Sequence, residues 1–88
     1  MEHTKQNILG PQIRRIRAKL GISQEMLSAR CAVAGWDLSR GTLAKIEAGL
    51  RCVTDLEAAM LAFALKTSLL DLYPPEIAQR LKRIEAKG

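Results

Sequence analysis

The residues that follow Ser39 carry the clearest capacity to bind another molecule: Arg40, Gly41, Thr42 and Lys45. Arginine and lysine donate hydrogen bonds that suit the O6 and N7 acceptors of guanine, and threonine can reach a thymine methyl or a phosphate. Glycine lets a backbone approach a ligand closely. An ordinary solvated helix face often carries the same residue types. The segment is therefore a candidate nucleic-acid-binding face, although its composition alone favours an ordinary solvated face.

The basic residues are distributed unevenly along the 88-residue chain. Its formal net charge is +5, and residues 1–52 contain nine Lys or Arg against four Asp or Glu. Residues 53–88 contain five of each sign and are neutral. Such a concentration of positive charge suits a surface that binds a polyanion, although a basic solvated surface would look the same.

Groups that could perform catalysis or bind a metal are scarce. His3 is the one histidine, and Cys31 and Cys52 do not form a Cys-x-x-Cys pair. We therefore expect no enzyme activity, no metal site and no cofactor. Cys31 falls on an apolar helical stripe and is predicted to be a buried free thiol. The polar start of the chain and the lack of a long apolar run predict a cytoplasmic protein.

The elements that must position these residues are predicted to be helices. Apolar residues recur at helical spacing, and helix formers dominate the composition, which indicates an all-α fold. Ser23 and Ser39 are predicted N-caps, and Thr54 with Glu57 forms a capping box. The predicted inward faces comprise Leu9, Ile13, Ile16 and Leu20 in helix 1, Leu27, Cys31 and Ala34 in helix 2, Leu43 and Ile46 in helix 3, and Leu56, Met60, Phe63 and Ala64 in helix 4.

The expected architecture is a compact bundle of five short helices followed by a sixth. Ser68 caps the short fifth helix, and Pro75 begins the sixth, whose apolar stripe is Ile77, Leu81 and Ile84. We divide the chain into a flexible tail over 1–7, a helical domain over 8–73 and a C-terminal helix over 74–88. The stripe of the last helix either packs on its own domain or forms a dimer, and the sequence favours neither.

Four segments, in this order and spacing, resemble the Cro and phage-repressor type of helix-turn-helix domain, also called the xenobiotic-response-element family. They are IRRIR at 13–17, LGISQE at 20–25, LSRGTLAKIEAG at 38–49 and SLLDL at 68–72. The resemblance implies a lambda-repressor-like fold and sequence-specific binding to double-stranded DNA. It also implies a small transcriptional regulator, which we expect to be a repressor.

The resemblance implies roles for individual residues. The recognition helix, at about 39–48, would lie in the major groove with its base contacts made by Arg40, Gly41, Thr42 and Lys45. The expected phosphate contacts are Gln24, Ser39 and Arg51. Arg17 and Glu47 are expected to form a partly buried salt bridge between helices 1 and 3, which makes Glu47 structural. A homodimer on a two-fold symmetric operator is expected, because one short helix reads only a few base pairs.

The chain departs from the family pattern between helices 2 and 3. Residues 32–37 stand where the family commonly has one glycine. We expect helix 2 to run longer and Trp36 to pack on the core, although a position near the DNA backbone is the alternative. The alternative function for the whole chain is a protein-interaction module, such as the antitoxin of a toxin–antitoxin pair.

Overall fold

The structure is a computed structural model that describes residues 5–87, with side chains as far as residue 84. Within these residues the chain forms five α-helices and no strand. The helices are α1 (Gly10–Lys19), α2 (Gln24–Val33), α3 (Arg40–Glu47), α4 (Asp55–Ala64) and α5 (Pro75–Lys87). The fifth helix expected after Ser68 is a single 3₁₀ turn, Leu70–Leu72, and α5 is the expected sixth helix. The predicted all-α bundle with an additional C-terminal helix is confirmed.

One hydrophobic core joins the first four helices and the 3₁₀ turn. Its fully buried members are Ile13, Leu27, Cys31, Leu43, Ile46, Leu61, Leu65 and Leu72. Cys31 is a free cysteine, and burial raises the pKa of its thiol. The thiol therefore stays protonated at neutral pH and packs as a small apolar side chain.

The helix starts lie where the capping residues predicted them. Ser23 accepts a hydrogen bond from the Met26 N–H, and Ser39 accepts one from the Thr42 N–H. Thr54 and Glu57 form the reciprocal capping box at the start of α4. Each cap satisfies a backbone donor that has no partner inside the helix, which fixes the residue at which the helix begins.

The inward face of α4 is not the one that the sequence predicted. Leu56 and Phe63 were expected in the core, but they are 63% and 72% exposed. The buried residues of α4 are instead Ala58, Leu61, Ala62 and Ala64. The expectation was wrong because α4 is apolar around most of its circumference, so periodicity does not specify which side faces inward. Leu20, which was expected on the inward face of helix 1, is also exposed, because it follows the last residue of α1.

The connection between α2 and α3 holds Trp36 against the core. Trp36 is half-buried and packs on the hydrophobic cluster. Its backbone N–H donates to the Cys31 carbonyl at 2.9 Å, and its carbonyl accepts from the Leu38 N–H at 2.8 Å. Residues 32–37 therefore form an ordered connection that is anchored at both of its ends.

Helix α5 packs on the domain through its first turns only. Ala78 is buried and Ile77 is half-buried, but Leu81 and Ile84 are exposed. The stripe that was expected either to pack or to dimerise is therefore divided: its N-terminal part packs in cis and its C-terminal part remains uncovered.

Candidate nucleic-acid interface

Helix α3 presents the residues that the sequence singled out for base contacts. Arg40, Gly41 and Lys45 are exposed, and Thr42 is half-buried. On the opposite side of the same helix, Leu43 and Ile46 are completely buried. This division gives a short helix with one face anchored in the core and a second face that carries hydrogen-bond donors.

Ser39 holds the N-terminus of α3 in place. Its hydroxyl oxygen accepts from the Thr42 N–H at 3.1 Å, and its O–H donates to the Thr42 hydroxyl at 2.9 Å. These bonds orient the side chain of Thr42, and the N–H groups of Arg40 and Gly41 lie in the first turn, where a helix offers no internal acceptor. The positive end of the helix dipole lies at the same place, and it favours an anionic ligand.

Glu47 ties α3 to the two preceding helices. Its Oε2 accepts from Arg17 Nε at 2.7 Å, and its Oε1 accepts from Arg17 Nη2 at 3.0 Å. Arg17 Nη1 also donates to the Ile22 carbonyl at 2.9 Å. The Glu47 side chain is only 4% exposed. The hydrogen bond with Glu47 raises the pKa of Arg17, against an opposing effect of burial. The structure thus brings Arg17 and Glu47 into a two-pronged pair inside the protein.

Gln24, an expected phosphate contact, joins the same cluster. Its Nε2 donates to Glu47 Oε1 at 3.1 Å, so one carboxylate oxygen receives donors from both α1 and α2. A glutamine amide has two N–H donors, and this bond needs one of them. Gln24 is half-buried in the first turn of α2, where the helix dipole is positive.

The end of α3 is held from its other side by the segment before α1. Asn7 Nδ2 donates to the Ile46 carbonyl at 3.1 Å and to the Arg51 carbonyl at 2.8 Å. Its Oδ1 accepts from the N–H groups of Leu9 and Gly10. The expected tail over 1–7 is therefore tied down at residues 5–7, and residues 1–4 lie outside the described part of the chain.

Gly10 allows this arrangement because the two backbones nearly touch. A Cβ at this position would lie 2.5 Å from the Ile46 carbonyl oxygen and 2.7 Å from that of Glu47. No side chain fits there, so the start of α1 rests directly on the end of α3. Neither the role of Asn7 nor that of Gly10 was predicted from the sequence. An asparagine shortly before the glycine and proline that open a helix is the signal that could have identified the cap.

Arg51, another expected phosphate contact, lies in an ion pair with Glu57. Its Nη1 and Nη2 donate to the two carboxylate oxygens at 3.0 Å each, and Nη1 also donates to the Cys52 carbonyl. The hydrogen bonds from Arg51 hold the pKa of the Glu57 carboxyl below its usual value. Glu57 belongs to the capping box of α4, so Arg51 ties the α3–α4 connection to the start of the next helix.

The sequence of the chain was also compared with those of known protein families. A helix-turn-helix family of the Cro/C1 type matches residues 13–72. The chain belongs to this family. The helix-turn-helix family consists of DNA-binding regulators that are generally not enzymes, and its match supports binding to double-stranded DNA. Searches of curated proteins and of solved structures gave no significant match.

Two further findings concern metal sites and membrane-spanning helices. Among the described residues, no group of three or more His, Cys, Asp or Glu side chains is placed to hold a metal ion. No helix in the same part of the chain has both the length and the apolar character needed to cross a membrane.

Proposed function

We propose that this helix-turn-helix protein is a sequence-specific transcriptional repressor whose α3 lies in the major groove of DNA. The observation that carries the proposal is the way in which α3 is held. Its C-terminal end is fixed by Arg17, Gln24 and Asn7, while Arg40 at its start and Lys45 in its last turn are exposed. A firmly held helix with exposed donors along its outward face meets the requirement for reading base edges.

The proposed base contacts are Arg40, Gly41, Thr42 and Lys45. Arg40 and Lys45 donate to the O6 and N7 atoms of guanine, and the Thr42 methyl contacts a thymine. Because nothing lies within 4 Å of a Cβ added at Gly41, the protein itself has room for a side chain there. We infer that glycine is suited to this position by the close approach of DNA.

The proposed phosphate contacts are Gln24, Ser39 and Arg51. Gln24 uses its second amide N–H for the phosphate and keeps the first on Glu47. The Ser39 hydroxyl turns its proton from Thr42 to a phosphate oxygen. Arg51 contacts the backbone of DNA with the donors that Glu57 and Cys52 leave free. These bonds would fix the register of the protein on the duplex without reading its sequence.

We further propose that two copies bind one operator. Two recognition helices about 34 Å apart reach successive major grooves on one face of the duplex, so the operator would be two-fold symmetric. The proposal implies a homodimer, at least on DNA, and places the protein in the cytoplasm together with the DNA that it regulates.

The experiment that tests this function is the selection of bound duplexes from a random DNA library. We expect enrichment of one palindromic sequence and an affinity that falls steeply with salt. Each phosphate contact should contribute about 0.9 to the slope of log affinity against log salt concentration. Failure to enrich any sequence would contradict specific recognition, and an affinity independent of salt would contradict contact with phosphates.

A further inference from the structure

Helix α4 has a second apolar face that nothing in the described part of the chain covers. Leu56, Ala59, Met60 and Phe63 follow one another at i, i+3, i+4 and i+7, which places them along one side of the helix. Leu56, Ala59 and Phe63 are exposed, and Met60 is half-buried. We call this row the outer face of α4. It lies opposite the buried row that contains Leu61 and Leu65.

The uncovered surface continues from α4 onto the end of α2. Val33 is 89% exposed and lines two adjoining shallow depressions together with Phe63. One depression also includes Arg30, Ala64 and Lys66, and the other includes Ala34, Ala59 and Met60. A helix that is apolar on both sides normally has both sides buried, and a contiguous apolar patch on a small domain marks an interaction surface.

We propose that the outer face of α4 is a self-association surface, on which the α4 helix of a second copy packs antiparallel. The inference rests on the proposed homodimer and assigns it a surface. The apolar residues of the outer face have the spacing of a helix–helix interface, and the residues proposed to contact DNA lie outside this face.

Charge supports a second copy in the antiparallel orientation. The N-terminal end of α4 carries the exposed Asp55, and the C-terminal end lies beside Lys66 and Arg30. A two-fold axis through the middle of the outer face brings the negative end of each helix to the positive end of its partner. The two helix dipoles then also oppose each other favourably.

The exposed stripe of α5 is the competing surface for self-association, and its charge is less suitable. Leu81 and Ile84 are flanked by Arg80, Lys82 and Arg83 on the same helix. Pairing two copies of α5 would bring these cations together, whereas the outer face of α4 contains no charged residue, and the neighbouring Glu57 is paired with Arg51. A helix of ten residues is about 15 Å long, so we expect a weak dimer in about the micromolar range.

The proposed surface is tested by sedimentation of the full chain without DNA. The protein concentration is varied over about two decades. We expect a monomer–dimer equilibrium that Phe63→Glu weakens at least about tenfold, because it places two buried charges at the seam. Val33→Glu provides a second variant on α2. Leu81→Glu is the matched control on α5 and should change the dimer constant less than about twofold. Thermal melts establish that each variant is folded.

A cross-link tests the orientation. In an antiparallel pair the two-fold axis passes near Ala59, so Ala59→Cys in a Cys52→Ser background should oxidise to a covalent dimer. Gln79→Cys on α5, in the same background, is the control and should form no covalent dimer. Asp55→Lys and Lys66→Glu should each weaken association, and the double variant should restore it.

The outcomes separate this inference from the proposed function. The inference is overturned if the chain stays monomeric at all concentrations, or if Phe63→Glu leaves the dimer intact. The first result would indicate that the outer face of α4 binds a different protein. DNA binding to a single half-site should survive Phe63→Glu, since α3 is untouched. Conversely, a dimer that behaves as expected but binds no duplex DNA would support the α4 surface and contradict the proposed function.

Discussion

Arg17 and Glu47 connect α1 to the recognition helix α3 through two hydrogen bonds, of 2.7 and 3.0 Å. Both side chains are largely shielded from solvent, and Gln24 adds a third donor to the same carboxylate. The pair therefore sets the position of α3 on the domain.

Replacing Glu47 with alanine should destabilise the protein by about 3–5 kcal/mol. The substitution leaves the Arg17 guanidinium partly buried without its carboxylate, and an unpaired charge in that position is costly. Lys45→Ala, two residues earlier on the exposed face, should change stability by less than about 0.5 kcal/mol. Urea unfolding of the two variants measures the difference. Equal unfolding free energies would mean that the Arg17–Glu47 pair contributes no net stability.

Arg40→Ala and Lys45→Ala should impair recognition of the operator without unfolding the protein. Each lost base contact should cost about 1–3 kcal/mol and relax the preference at one operator position. Titration of each variant against a set of single-base operator variants measures this loss. Arg80→Ala removes an exposed cation of α5, outside α3 and outside the outer face of α4, and is the control. A uniform loss of affinity for every sequence would identify Arg40 and Lys45 as phosphate contacts instead.

The capping box of α4 should make stability sensitive to acid. Hydrogen bonds from Arg51 lower the pKa of Glu57 in the folded protein below the unfolded value of about 4.3. The resulting stabilisation is fully present above the unfolded pKa and is lost as the pH falls through the folded pKa. Hydrogen bonds from Ser68 and Thr67 lower the pKa of Asp71 as well, so the same sign applies there.

Unfolding free energies between about pH 6 and pH 3 test this prediction in the wild type and in Glu57→Gln. At pH 6 the variant should be less stable by up to about 1 kcal/mol, because glutamine can keep the bond to the Thr54 N–H but loses the charge that pairs with Arg51. The difference in unfolding free energy between the two proteins should narrow as the pH falls. Both proteins should still lose some stability in acid, because Asp71 is present in each. If the unfolding free energies of the two proteins changed in parallel with pH, the pKa of Glu57 would be the same in the folded and unfolded states, and the prediction would be wrong.

Ser23 precedes α2 and Ser28 lies within it, and replacing each serine with alanine should change the stability of the protein differently. Ser23 caps α2, so Ser23→Ala should cost about 1 kcal/mol. The buried hydroxyl oxygen of Ser28 has no hydrogen-bond partner among the residues with described side chains. Ser28→Ala should therefore be neutral or stabilising by up to about 1 kcal/mol. Thermal melts compare the two, and a large loss for Ser28→Ala would reveal a partner for its hydroxyl in solution.

The sequence by itself determined the helical class, the family and the starts of three helices. Ser23, Ser39 and the Thr54–Glu57 pair act on backbone groups within three residues, so their effect can be recognised without tertiary information. The sequence also predicted that Leu43 and Ile46 are buried while Arg40 and Lys45 are exposed, because α3 has only one apolar face.

Only the tertiary structure decided which side of α4 is buried and what holds the end of α3. Apolar residues line both sides of α4, so either rotation satisfies its periodicity, and packing against the rest of the core selects Leu61 and Leu65 over Leu56 and Phe63. Asn7 and Gly10 act on Ile46 and Glu47, more than thirty residues away in sequence. Their roles depend on the close approach of two backbones, and local residue patterns carry no information about distances between segments that far apart in the chain.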